Sequence, residues 1–514
     1  MTRLLCVTVA IAAAIGLAAV GVLRGTYAAG GSDSSCYALM AEAFASGQIQ
    51  PTSALATQVP WPDATRTFAP GGFLPSHENP AAASPICAPG FSVLLAPLVA
   101  FGGLDALFWL TPVAGALLVW MTFVAARELE GPLAGAMAAV LIATSPPVLY
   151  QVVQPMNDIT TTALWMAVFV ALVQRRWAIA GLFCGLALLV RPNLLPLAAA
   201  AGVFVLVAPP IPKPQSRITR VSRFCLAALP FALLVMWLNA KLYGGALRTG
   251  YGEPDQLFSL SNIPINVTRY LRWLAETHTA FPFLALPAPF LVAREKRDSV
   301  LLALGLIAAT FCIYFAYTPF DEWTYLRFLL PAIALLLVLA SAATVNLLKY
   351  ITRPMLRSFV AAGITAVIAV FCLRTAGERH AFALQFLEQR FRSAGVVVRD
   401  RLPSGAVVLS EWDSGAVRFH GRKEALSWEG LDPAWLDRSL IWLEERGREP
   451  YIMLETWEEP GFRDRFGAQS DIGKLDWPAR YEIDRLVRIY DPRDRARHLR
   501  GEPVGPEYLW PLRR

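Results

Sequence analysis

"RLLCVTVAIAAAIGLAAVGVLRGTYAAGGSDSSCYALMAEAFASG" (residues 3–47) sets an apolar run directly before a segment that carries Asp33, Tyr37 and Glu42. The run is about 20 residues long, enough to cross a hydrocarbon core of roughly 30 Å. Its basic start and the small residues Ala28 and Ala29 also suit a cleaved signal peptide. The length of the run and the series of similar runs behind it favour a retained membrane helix. Asp33 then stands where a membrane helix ends, and what its carboxylate does depends on the side of the membrane it faces.

Working outward, 55% of the 514 residues are hydrophobic and only 17% are charged, with a mean hydropathy of +0.45. Such a chain is solvated mostly by lipid, so it reads as an α-helical polytopic membrane protein. Apolar runs near 4–23, 104–126, 132–150, 158–174, 178–191, 193–210, 224–240, 279–293, 299–317, 328–348 and 358–373 predict about 11 transmembrane helices. "APGFSVLLAPLVAFGG" (88–103) is apolar too, but its prolines and glycines suit a re-entrant or interfacial piece.

Basic residues give the orientation. With Arg3 inside, alternate short connections carry Arg127; Arg175 and Arg176; Lys213, Arg217, Arg220 and Arg223; Arg294, Lys296 and Arg297; and Lys349, Arg353 and Arg357. The positive-inside rule therefore predicts a cytoplasmic N-terminus, and an odd number of spans leaves the C-terminal part outside. Residues 374–514 hold 24 basic and 24 acidic side chains, so the net charge of +7 belongs to the membrane part. The basic balance reflects topology, and no basic patch with interleaved aromatics argues for nucleic acid.

This organisation predicts a membrane domain over 1–373 with external loops at 28–89 and 241–278, and an external domain over 374–514. Long loops in compact proteins are usually functional or disordered, which places the chemistry outside. Of seven cysteines, Cys36 and Cys87 share the first external loop, where an oxidising compartment allows either a disulfide or two thiols. No CxxC, HExxH or P-loop pattern is present, and no internal repeat is evident. The tail reads as a small α/β domain. Strands are expected at "GAVVLS" (405–410), "PYIMLET" (450–456) and, last, "RLVRIYDP" (485–492), with helices between them. Asp432 followed by Pro433 marks one helix start.

A set of segments then forms an ordered pattern: "GGSDSSCYALMAEAF" after the first helix, "CAPGFSVLLAPLVAFGG" before the second long span, "QPMNDITTTALW", "GLALLVRPNLL", "YGGALRTGYG" and "DEWTYLRFLLPAIALL". Together they resemble the GT-C glycosyltransferases, membrane enzymes that use a polyprenyl-phosphate sugar donor, such as protein O-mannosyltransferases and lipid A aminoarabinose transferases. The resemblance implies an acidic residue at the reaction centre at the start of the first external loop, a position that Asp33 occupies. Many relatives place two adjacent acidic residues where this chain has Asp33 and Ser34, which weakens the case for a bound divalent metal ion and leaves the acceptor class open.

The chemistry is consistent with that reading. A phosphate leaves as a stable anion, so transfer of its sugar to a hydroxyl needs charge stabilisation and an activated nucleophile more than acid catalysis. Asp33 and Asp158 are the candidate catalytic carboxylates. Arg191, Arg248 and Arg327 near external helix ends are candidates for the donor phosphate, which a guanidinium matches bidentately. Tyr37, His77, Glu78 and Tyr251 are candidates for substrate contacts. Each has a plainer reading: Asp33 or Asp158 as a helix cap, Arg191 snorkelling to the interface, and His77 and Glu78 as a solvated turn. Arg327 opens an inward-going helix, where a cation gains nothing from the dipole. The expected function is transfer of a sugar, with inversion, to an acceptor hydroxyl of a glycan, lipid or protein outside the inner membrane. A transporter or lipid flippase is the main alternative, and a membrane-anchored scaffold a third.

Overall fold

The computed structural model describes residues 3–209 and 216–509; Lys213 and the last residue of the expected 193–210 span lie outside the described residues. The chain divides into two compact units. The first draws on the chain up to Gly25, Phe108–Trp237 and Gly252–Leu384; the second on Thr26–Leu107, Leu238–Tyr251 and the chain from Gln385 onward.

Among the described residues, six helices are long and apolar enough to cross a membrane: Arg3–Leu23, Leu104–Glu130, Arg217–Tyr243, Arg294–Phe315, Trp323–Tyr350 and Pro354–Glu378. A seventh crossing arises if the pair Pro132–Thr144 and Pro146–Val152, bent by 60°, counts as one. The bend has a local cause: Pro146 and Pro147 lack amide donors and restart the helix after Ser145. The runs expected at 158–174, 178–191 and 193–210 form shorter helices, Asn157–Val173, Trp177–Val190 and Pro192–Val207. The run at 279–293 is not a continuous helix. Pro282, Pro287 and Pro289 break it into a 3-10 turn, Phe281–Ala285, and a four-residue helix, Ala288–Leu291.

The first unit is organised around Leu330–Leu347, which packs on Leu110–Glu130, Pro132–Thr144, Asn157–Val173, Arg297–Phe315 and the broken Phe281–Ala285 segment. The whole apolar stretch of its span is buried in protein, whereas that of Arg217–Tyr243 is almost wholly uncovered. Burial of one helix against others in an apolar solvent depends on close backbone approach. At Gly181, a Cβ would meet the Phe224 carbonyl oxygen at 2.1 Å, and at Gly185 the Ala228 carbonyl oxygen at 2.9 Å. Side chains inside the helices bond to their own backbone: the Thr122, Thr162 and Thr344 hydroxyls donate to the carbonyls four residues earlier.

Charges gather at helix ends. Glu130 pairs with Lys349 and accepts from Asn346 at 3.0 Å. Arg175 lies over the rings of Phe204 and Trp177 with Asp298 at 3.9 Å, and Arg220 donates to the Ala208 carbonyl at 2.6 Å.

In the second unit the first loop and the tail fold together. Its helix Gly31–Ala45 packs on Gly90–Gly102, the apolar piece at 88–103, and Cys36 and Cys87 are joined as a disulfide. A hairpin of β1 (Phe73–Pro75) and β2 (Ala83–Pro85) follows. The tail supplies β3 (Ala406–Leu409), β4 (Glu424–Leu426), β5 (Glu449–Glu455), β6 (Tyr481–Ile483), β7 (Val487–Tyr490) and β8 (Glu507–Leu509). They form one six-stranded sheet in the order β4-β3-β5-β7-β6-β8. Only β3 with β4 and β5, and β6 with β8, run parallel; β7 is antiparallel to both its neighbours. The strand expected over 485–492 is therefore not the last one.

The period-2 alternation of the strands feeds two cores. Val407, Leu409, Ile452 and Leu454 share one with Leu55, Trp61 and Phe68 of the first loop. Val408 and Met453 share the other with Ala394 and Val398 of the helix Leu384–Arg401. Asp432 caps the turn Pro433–Trp435 through the Ala434 amide at 2.9 Å, as its position before Pro433 predicts.

Candidate active site

At one end of the first unit, Asp158 lies in the first turn of Asn157–Val173, after the cap position Met156. It is 1% exposed, and its carboxylate sits where unpaired amides and the helix dipole favour negative charge. Its partner is Arg191, whose Nη1 lies 2.5 Å from Asp158 Oδ1. Arg191 closes the helix Trp177–Val190, and Pro192 prevents that helix from continuing. The guanidinium therefore turns inward, over the rings of Phe328 at 5.1 Å and Tyr314 at 5.8 Å.

Arg327, on the 3-10 segment Trp323–Leu329, brings a second guanidinium to the same Phe328 ring at 5.1 Å, and lies over Tyr325 at 5.4 Å. Cation–π attraction holds both guanidiniums over the Phe328 ring, and Asp158 also holds Arg191. A planar guanidinium matches the oxygens of a phosphate in pairs.

The surrounding frame comes from the helix Ile263–His278. Its Asn266 donates to the Tyr314, Phe315 and Tyr317 carbonyls at 3.3, 3.0 and 2.6 Å, satisfying the end of Arg297–Phe315. Arg269 donates to the Phe320 carbonyl and pairs with Asp321 at 2.8 Å. Tyr270 lies within electrostatic reach of Arg191 and Arg327. Its hydroxyl is buried with no hydrogen-bond partner among the described residues, an arrangement that normally signals a missing partner. Asn193 donates to the Tyr314 hydroxyl at 3.1 Å. None of Tyr270, Asn193, Tyr314 and Phe328 was singled out from the sequence. The helical spacing of Tyr270, Trp273 and Leu274, on the buried side of that helix with Asn266 and Thr277, is the signal for Tyr270.

The structure thus brings Asp158, Arg191 and Arg327 together. Asp33, Tyr37, His77, Glu78, Arg248 and Tyr251 belong to the second unit. Asp33 is half-buried in the first turn of Gly31–Ala45, whose cap position is Gly30. Tyr37 is buried edge-on against Phe91 at 5.0 Å, and its carbonyl accepts from Ser92 at 2.9 Å. His77, Glu78, Arg248 and Tyr251 are exposed. The turn that carries Arg248 and Tyr251 is tied to β2, since Ser84 donates to the Leu242 carbonyl at 2.7 Å and Tyr243 to that of Pro85 at 2.9 Å. His77 packs against Gly244 at the head of this turn.

The tail fixes the segment bearing Asp33. The Ala29 amide donates to His420 Nε2 at 2.9 Å, and burial pushes the His420 pKa down to about 3, which keeps that nitrogen an acceptor. Gly71 donates to Ser414 at 2.8 Å, and Arg422 pairs with Glu42 at 2.5 Å. Behind Trp412 lies a group of buried acids. Burial and the neighbouring Glu455 and Glu458 hold Asp413 well above the usual carboxylate range, and burial pushes Glu458 up to about 7. Among the described residues no three His, Cys, Asp or Glu side chains meet in a metal-holding group.

No protein-family profile matches the sequence, and neither does any curated protein sequence. Solved structures do match in fold. ArnT from Cupriavidus metallidurans in its apo state superposes with a TM-score of 0.59 at 12% identity, covering 94% of this chain and 97% of that one. The same enzyme bound to undecaprenyl phosphate gives 0.57 at 13%, over 90% and 94%. The apo oligosaccharyltransferase of Archaeoglobus fulgidus gives 0.52 at 13%, over 92% of this chain and 73% of that one. The chain has the fold of the GT-C membrane glycosyltransferases.

Proposed function

We propose that this protein is an integral membrane glycosyltransferase that moves a sugar from a polyprenyl-phosphate donor to an acceptor hydroxyl on the external face of the inner membrane. The observation that carries the reading is that Arg191 and Arg327 both lie over the Phe328 ring, with the buried Tyr270 hydroxyl within electrostatic reach of both. Its chemistry suits a phosphate, and the fold is shared with an enzyme solved with undecaprenyl phosphate bound. In this reading Asp33 takes the proton of the acceptor hydroxyl as its oxygen attacks the anomeric carbon opposite the phosphate. The carbon–oxygen bond to the phosphate breaks with inversion, and Arg191 and Arg327 stabilise the charge that the departing polyprenyl phosphate gains. Asp158 holds Arg191 in place.

The topology that fits this reading has eleven crossings, a cytoplasmic N-terminus and an external tail. The proline-broken 279–293 segment makes one crossing against Leu330–Leu347, since irregular backbone is tolerated at membrane depth where protein covers it. The membrane part then spans 1–373, and the external part joins residues 374–514 to the loops. His77, Glu78, Tyr37, Arg248 and Tyr251 are assigned to substrate contacts on the external side. The 60° break at Ser145, where the hydroxyl meets His278 Nε2 at 2.7 Å, is a feature that a transporter or lipid flippase would share.

The test uses protein in proteoliposomes with labelled polyprenyl-phosphate sugars and a crude envelope extract as acceptor. Wild type should transfer label, Asp33→Asn should not, and Arg327→Gln should lose donor affinity. Full transfer by Asp33→Asn would remove Asp33 from the mechanism. Label crossing the bilayer without leaving its lipid would favour the transporter.

A further inference from the structure

We infer that Trp412 and Trp457 form a stacking platform for a sugar ring of the acceptor, so that the acceptor is a glycan; this rests on the glycosyl-transfer reading. Both residues belong to the second unit. They are 41% and 60% exposed and meet edge to face with ring centroids 5.7 Å apart. Trp457 is anchored through its ring, whose indole N–H donates to Glu455 Oε2 at 2.8 Å, and Trp412 through its backbone, whose amide donates to Glu458 Oε1 at 3.3 Å. Arg390 in turn donates to Glu455 Oε1 at 2.7 Å. The Trp457 ring is thus pinned, and both indoles stay partly open to solvent.

Two large aromatic faces held open to solvent are unfavourable unless something covers them. A flat indole suits a pyranose, which offers it a C–H face. Position completes the argument. A Cβ on Gly31, two residues before Asp33, would touch the Trp412 ring at 3.9 Å. A sugar stacked on Trp412 therefore lies beside the helix turn that carries the proposed base.

The test runs in phosphatidylcholine nanodiscs and compares wild type with Trp412→Ala, Trp457→Ala and Trp412→Phe. In the transfer assay the half-saturating amount of envelope acceptor should rise about tenfold or more in the alanine variants, with donor affinity unchanged, and Trp412→Phe should recover most of it. Separately, tryptophan oxidation mapped by mass spectrometry should show Trp412 and Trp457 protected by neutral oligosaccharides released from the same extract. Unchanged acceptor dependence with normal transfer would overturn the platform and leave the glycosyltransferase reading standing. Protection without any transfer would overturn the reading and keep the sugar site. Protection by anionic vesicles but not by the oligosaccharides would make the pair a membrane contact and overturn the inference.

Discussion

Replacing Asp158 by Asn removes the charge that faces Arg191 without changing the shape of the side chain. The ion pair has side chains 2% and 12% exposed and a contact of 2.5 Å, so solvent screens little of it. Removing one partner of a buried pair costs about 3–5 kcal/mol, mostly because the other charge is left uncompensated. Here the rings of Phe328 and Tyr314 still face the guanidinium, and cation–π contacts of about 0.5–2 kcal/mol soften the loss. We expect a net loss of about 3 kcal/mol for Asp158→Asn. The double variant Asp158→Asn/Arg191→Met carries neither charge, so it should recover at least about 1 kcal/mol relative to the sum of the single losses. Unfolding in mixed micelles with a rising fraction of denaturing detergent measures the four proteins. The double variant should be stable yet unable to bind donor phosphate, which separates the strut from the binding role. Single losses that simply add in the double variant would refute the coupling and leave the pair as two independent surface charges.

Breaking the disulfide, by reductant or by Cys36→Ser with Cys87→Ser, should lower the stability of the second unit. For a sequence separation of 51 the chain-entropy model gives about 4 kcal/mol; an unchanged unfolding midpoint in reductant would count against it. Stability against pH should peak between about 4.5 and 6.5. Glu458 is raised from 4.5 to about 7, so its contribution is full below 4.5 and lost as pH rises through 7. His420 is lowered from 6.5 to about 3, so its contribution is full above 6.5 and lost as pH falls through 3. Limited proteolysis of the full chain across pH should therefore show Glu458→Gln flattening the alkaline limb alone. Gly181→Ala should cost about 1–3 kcal/mol through overlap with the Phe224 carbonyl. Gly202→Ala, where a Cβ meets nothing within 4 Å, should be neutral in the same detergent titration.

The membrane class, the separate apolar runs and the helix ends bearing Asp158, Arg191 and Arg327 were legible in the sequence, because hydropathy and proline act locally along the chain. The same holds for the helix start at Asp432 and for the strands at 405–410 and 450–456. Five further strands, β1, β2, β4, β6 and β8, were missed. They are three residues each, too short for a periodic signal, and are defined by their neighbours in their sheets. Hydropathy also counted 279–293 as a helix, since the Phe, Leu, Ala and Val around its prolines keep the window apolar while the missing proline amides break the backbone. Tertiary structure alone decided that Leu55, Trp61 and Phe68 complete the core of a sheet more than 330 residues further along the chain. It alone decided that Arg191 and Arg327 share one aromatic ring, and that Tyr270 comes within reach of both. These are pairings between distant segments. A local pattern records which face of a helix or strand is apolar, but the partner of that face is fixed only when the whole chain packs.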